Sequence, residues 1–159
     1  MMTTPFILLS AYQKGRCGAD NHQRHHDLMD ALAEFGIVIA EVTTVTRGRR
    51  RAGIEAKIPE GLGSFDYDNV TALARAYDQE SVLYIATNGL TMRDYLKDHY
   101  KDLEVIGTWT EVLPWEDTPS WYVRDLDGRR FYPAPPRAAQ VMEKLLALEE
   151  PTMVLDKAA

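Results

Sequence analysis

The sequence predicts an α+β fold of the ferredoxin-like class, a βαββαβ antiparallel sheet with both helices on one face. A C-terminal β-hairpin and a terminal helix are expected to follow it. Three observations carry this. Short apolar runs alternate with two stretches whose apolar residues recur at the helical period. Their order from Pro5 to Thr87 is strand, helix, strand, strand, helix, strand. Beyond them stand two segments of strand composition separated by turn residues, and then one more amphipathic stretch.

Taken in order, Phe6-Ile7-Leu8-Leu9 has the pattern of a strand buried on both faces. It passes through Ser10-Ala11-Tyr12 into a polar turn. Asp20-Asn21-His22-Gln23 opens a helix, with Asp20 and Gln23 at the spacing of a capping box. His25, Leu28, Met29 and Leu32 give that helix one inward face. It then lies back along the strand and brings its free N–H groups to the mouth where Ser10 and Tyr12 end. Such a terminus attracts carboxylates and phosphates.

Ile37 to Thr46 reads as a second strand, and Arg47-Gly48-Arg49-Arg50-Arg51-Ala52-Gly53 as a loop. Ile54, Ala56 and Ile58 alternate with Glu55 and Lys57 in a short third strand that Pro59 ends. Asp66-Tyr67-Asp68 begins a second helix with Val70, Leu73, Ala74 and Tyr77 inward. Ser81 to Thr87 supplies a fourth strand, and Glu104 to Val112 a fifth. Trp121 to Val123 pairs with Arg130 to Tyr132 across Asp127-Gly128. Pro133 to Pro136 punctuates the chain before a helix with Ala138, Val141, Met142, Leu145 and Leu148 on one stripe. Residues 1–150 are expected to form one domain, and the tail from Pro151 to fray.

One physical problem stands out. Helices on one face leave the other face of the sheet open, yet the first and fourth strands are apolar on both. The C-terminal strands and a symmetric oligomer are the two candidates for covering it, and both together are expected.

Composition narrows the function classes. With 159 residues, a net charge of −6 and one cysteine, the chain lacks the broad positive surface of a duplex binder and can form no intrachain disulfide. No apolar run approaches a membrane span, and Met1-Met2-Thr3-Thr4 carries no basic leader, so a cytoplasmic protein is expected. Cys17, His22, His25 and His26 are metal-ligand types, but their spacing matches no standard zinc site, and His25 already serves the apolar face. No metal and no cofactor is expected. The arginine run could meet an anion or could be a solvated loop. Glu55 sits mid-strand, where carboxylates are depleted, and the pattern alone leaves open whether it faces solvent or a site.

Several motifs in register resemble one family. Leu8-Leu9-Ser10-Ala11-Tyr12, Cys17, Asn21, Arg24-His25 and Met29 resemble the start of the phage-encoded S-adenosylmethionine-degrading enzymes, the SAM hydrolases or SAM lyases. Asp78-Gln79-Glu80-Ser81-Val82-Leu83, Gly107-Thr108-Trp109-Thr110-Glu111-Val112 and Asp127-Gly128-Arg129-Arg130-Phe131 continue the match over roughly residues 5 to 133. Glu55 stands where that family has its essential glutamate. The resemblance implies a trimer of ferredoxin-like subunits with active sites between subunits. It also implies cleavage of S-adenosylmethionine to 5′-methylthioadenosine plus homoserine lactone or homoserine, which deprives host restriction and methylation systems of their cofactor. Where family members place a tyrosine shortly before the glutamate, this chain has Arg49-Arg50-Arg51. The aromatic contact would then come from Tyr12 or from Tyr67 of a neighbouring subunit.

Within that resemblance Glu55 is the expected catalytic residue. Ser10, Ala11 and Tyr12 at the strand end, Asn21, Arg24 and His25 at the helix tip, and Arg50 are the expected substrate contacts. Two readings compete with the enzyme. One is a non-catalytic nucleotide sensor built on the same trimer, with the arginine loop responding to ligand. The other is a small anti-defence protein that acts by surface contact.

Overall fold

The computed structural model describes residues 3–97, 102–135 and 142–147. β1 (Phe6–Leu9) forms from the four-residue apolar run, and every residue in it is buried. α1 (Gly18–Glu34) begins two residues before the expected cap, with Cys17 at the N-cap position and no side chain capping it. The anticipated capping box does not form. Asp20 instead pairs with Arg16 at 2.8 Å, and Gln23 donates to Asp27 at 2.9 Å. His25, Leu28 and Leu32 are buried on the inner face.

β2 (Ile39–Thr46) and β3 (Arg49–Lys57) pair over their whole length, so the arginine run is strand and not loop. The turn between them is only Arg47-Gly48, with φ of 49° and 82°. Two successive left-handed residues are what a tight hairpin matching the strand twist requires, and the glycine makes the second one free of strain. α2 (Phe65–Ala76) is capped by Ser64, whose Oγ accepts from the Tyr67 N–H at 3.2 Å. β4 (Ser81–Ile85) follows, and then β5 (Leu90–Tyr95), β6 (Glu104–Val112), β7 (Trp121–Arg124) and β8 (Arg130–Ala134).

The open ferredoxin-like sheet is overturned at this point. The eight strands close into an antiparallel barrel in the order β1-β3-β2-β7-β8-β6-β5-β4. β5 hangs on β4, β7 pairs with the free edge of β2, and the β7–β8 hairpin joins β6 to complete the ring. Both helices lie outside the ring. Ile7 and Leu9 of β1, with Ile54 and Ala56 of β3, face Leu28, Leu32, Val70 and Ala74 of the helices. The alternate residues Phe6, Leu8, Val42, Leu83, Ile85 and Val123 fill the barrel interior with Trp109 and Trp121 against them. This is how the doubly apolar strands are covered. Fully burying one such side chain contributes about 1.5–3 kcal/mol, so a set of six favours closure over an open sheet decisively. A second copy of the chain is not needed for that burial.

Closure requires a close approach at Gly107 in β6. A Cβ at that position would lie 2.1 Å from the Ala134 carbonyl oxygen, so β8 reaches β6 only because the residue has none. Of the expected terminal helix, residues 142–147 are helical: Leu145 packs against the helix-side core and Met142 is exposed. Ala138, Val141, Leu148 and the tail from Pro151 lie outside the described residues. Among those described, no helix is long and apolar enough to cross a membrane.

Candidate functional site

The expected contacts divide between two faces of the same sheet. At the tip of α1, Tyr12, Asn21, His25 and Arg50 line one cavity of about 240 Å³, together with His22 and Arg51. Local chemistry builds it. Asn21 accepts from the Gln13 N–H at 2.9 Å and donates to the Gln13 carbonyl at 3.3 Å, which ties the strand-end loop to the first turn of the helix. His25 is 3% exposed, and its Nε2 sits 2.7 Å from Glu41 Oε1. Among the described residues its buried Nδ1 has no hydrogen-bond partner. His22 and His26 lie 3.1 Å apart through their Nε2 atoms, while Cys17 is exposed. Among the described residues no three His, Cys, Asp or Glu side chains converge as a metal site.

Arg24 and Ala11 do not reach that cavity. Ala11 is fully buried, and Arg24 donates to the Ala11 carbonyl at 3.0 Å and the Tyr77 carbonyl at 2.6 Å. Arg24 thus pins α1 to the loop before it and to the end of α2. Ser10 Oγ donates to the Ala52 carbonyl and accepts from the Tyr12 N–H, so its hydroxyl shapes the loop. Tyr67 is buried and its hydroxyl donates to Asp94, which removes it as the expected aromatic contact.

Glu55 stands on the other face. It is directly opposite Leu8 of β1 and Ala40 of β2. Cross-strand partners share a face, and Leu8 belongs to the barrel interior. The carboxylate is therefore separated from His25 and the helix tip by the thickness of the sheet. Burial pushes its pKa above the ordinary glutamate value, Lys57 opposes that, and Asp125 adds to it. Lys57 is itself anchored, with its ammonium 5.3 Å from the Phe6 ring centre.

The inward residues of β3 run Arg51, Gly53, Glu55, Lys57 along the barrel, which gives it two unlike ends. Glu55, Lys57 and Asp125 mark one. The other opens into a cavity of about 320 Å³ lined by Ser10, Thr44, Arg51, Arg93 and Trp121. Arg51 lines the helix-tip cavity as well, and its guanidinium lies 4.1 Å above the Tyr12 ring. Arg51, Arg93, Asp125 and Trp121 were all absent from the expected site. Reading residues 49–53 as strand would have separated Arg50 from Arg51 by alternation and put Arg51 in phase with Glu55.

The model of the S-adenosylmethionine lyase family matches residues 7–132. The chain belongs to that family. Membership makes a S-adenosylmethionine-cleaving enzyme the supported activity. The matched span of the lyase family takes in Glu55, both inward arginines and all eight strands but for the ends of β1 and β8, and it leaves out residues 142–147. No curated protein matches the chain.

Proposed function

We propose that this lyase-family chain breaks the bond between sulfur and the γ-carbon of S-adenosylmethionine by turning the substrate's own carboxylate onto that carbon. A carboxylate oxygen–carbon bond forms as the carbon–sulfur bond breaks. The electron pair stays on sulfur, which leaves as the neutral thioether of 5′-methylthioadenosine, and homoserine lactone is the other product. No proton moves, so neither a general acid nor an external nucleophile is required. Holding carboxylate and γ-carbon in line can lower the barrier by about 7–11 kcal/mol. Mutual neutralisation of sulfonium and carboxylate is favoured where water is excluded.

The observation that carries this reading is Glu55, a carboxylate placed on the inner face of an apolar barrel at the cost of a raised pKa. A partly buried carboxylate is costly and Lys57 offsets only part of that cost, so a cationic ligand is favoured beside it. In this proposal Glu55 grips the α-ammonium and turns the carboxylate inward, with Asp125 adding negative potential. The helix-tip contacts Tyr12, Asn21, His25 and Arg50 enter through assembly: a trimer presents the helix tip of one copy to the Glu55 end of another. The role we attach is depletion of the methyl donor used by restriction and methylation systems.

The test is to incubate the purified chain and its Glu55→Gln variant with S-adenosylmethionine and follow methylthioadenosine chromatographically. Loss of product with an unchanged circular dichroism spectrum is expected, and near-normal turnover in the variant removes Glu55 from the mechanism. In ¹⁸O-water, direct hydrolysis at the γ-carbon labels the homoserine hydroxyl, whereas a lactone that later opens carries label in its carboxyl. Light scattering on the same preparation reads the trimer, and a clean monomer refutes the shared site.

A further inference from the structure

The arginine end of the barrel is not suited to the substrate's reacting centre. Arg51 and Arg93 both line the cavity there, and two guanidiniums repel a sulfonium. Among the described residues, neither lies within ion-pair distance of a carboxylate, the arginine ion pairs being those of Arg16 and Arg129. That is unusual in a chain of net charge −6, where acidic neighbours outnumber basic ones.

Both side chains are half-buried, which removes part of the entropy a fully exposed arginine would lose on binding. Arg51 is stacked over Tyr12 at 4.1 Å. Stacking uses the face of the guanidinium and leaves its in-plane N–H donors directed outward. Arg93 enters from β5 across from Leu83 of β4, with β1 and β4 between its strand and β3 in the ring. Trp121 adds an aromatic side chain to the lining, and at about 320 Å³ the cavity falls within the range of small-molecule sites.

We infer that this end of the barrel binds a small phosphate-bearing ligand through Arg51 and Arg93, in a cavity that shares Arg51 with the helix-tip cavity but does not include Glu55. Two guanidiniums lining one cavity match a phosphate dianion in charge, and the fork of each suits its oxygens. The phosphate can be free or carried on a nucleoside, and Trp121 is placed to stack a base in the second case.

Calorimetric titration of the full chain with inorganic phosphate and with adenosine 5′-monophosphate, at fixed ionic strength, tests this. Saturable binding is expected. Tighter binding of the nucleotide identifies a nucleoside-borne phosphate, and equal binding identifies free phosphate. Arg93→Gln and Arg51→Gln each weaken binding at least about tenfold, as loss of a charge-assisted partner should. Arg93→Lys keeps part of the affinity and controls for folding. Absence of saturable binding, or binding unaltered in both glutamine variants, overturns the site. Glu55→Gln leaves the titration unchanged, so the two proposals fail separately. A chain that cleaves S-adenosylmethionine without binding phosphate loses only this one; a chain that binds phosphate without cleaving loses only the enzymatic one.

Discussion

The two ends of the barrel are built from the same strands, yet they carry opposite charge and differ in how that charge is compensated. At one end Glu55 is desolvated, shares its field with Lys57 and Asp125, and has its pKa displaced upward. At the other, Arg51 and Arg93 are half-buried around an open cavity. Arg51 and Glu55 are four residues apart on β3 and point the same way, so the contrast comes from what the neighbouring strands bring to each level. β1 and β2 offer Glu55 only Leu8 and Ala40. Near Arg51 they offer the hydroxyls of Ser10 and Thr44, and β5 adds a second guanidinium. A closed barrel can thus keep an acidic and a basic pole apart along one axis, with Val42 at the level between them.

Separation of the two poles depends on closure of the barrel, which is most vulnerable at the seam. Gly107→Ala places a methyl against the Ala134 carbonyl and should cost more than about 3 kcal/mol, since backbone cannot move aside as a side-chain tip can. Chemical denaturation reads the loss, and a variant as stable as the parent contradicts the barrel seam. Arg24→Ala should cost about 2 kcal/mol by removing charge-assisted hydrogen bonds to the Ala11 and Tyr77 carbonyls. Its effect on turnover should follow the loop carrying Tyr12 and not the chemistry.

A smaller effect separates the poles by pH. A carboxyl whose folded pKa is raised binds its proton more tightly folded than unfolded. Its contribution to stability is therefore greatest below the unfolded value of 4.5 and is lost as pH rises through the raised one. Glu55→Gln should then raise the melting temperature at pH 7 and change it little at pH 4. If ionised Glu55 holds the α-ammonium as proposed, the same displacement moves the acidic limb of kcat/KM above the ordinary glutamate range. Smallest of all, Ser64→Ala should cost about 1 kcal/mol through loss of the α2 cap and leave both poles as they are.

Much of the barrel was legible in the sequence, element by element. The apolar run of β1, the helical periods of α1 and α2, and the extent of β6 follow from patterning that burial alone imposes. What was not legible was closure. β5 has an ordinary alternation, with Leu90 and Met92 on the helix side and Arg93 inward, and its signal was the Asn88-Gly89 turn before it. Without β5 the sheet has a free edge at β4, and the ferredoxin-like plan follows from the remaining order. The arginine run misled for a similar reason: charge suggested a loop, but the Arg47-Gly48 turn makes residues 49–53 strand. At the helix tip, Tyr12, Asn21, His25 and Arg50 line one cavity. Their separation from Glu55 depends on which face of the sheet each occupies, and a one-residue change in phase reverses that.

The most direct measurement is the rate of methylthioadenosine release from S-adenosylmethionine by the intact chain and by Glu55→Gln, side by side at neutral pH. The intact chain should turn over, and the variant should be slower by at least about 100-fold at unchanged fold, the scale of loss when a substrate is held out of line. Equal rates in the two proteins, or no product from either, would contradict the assignment of the acidic pole to catalysis.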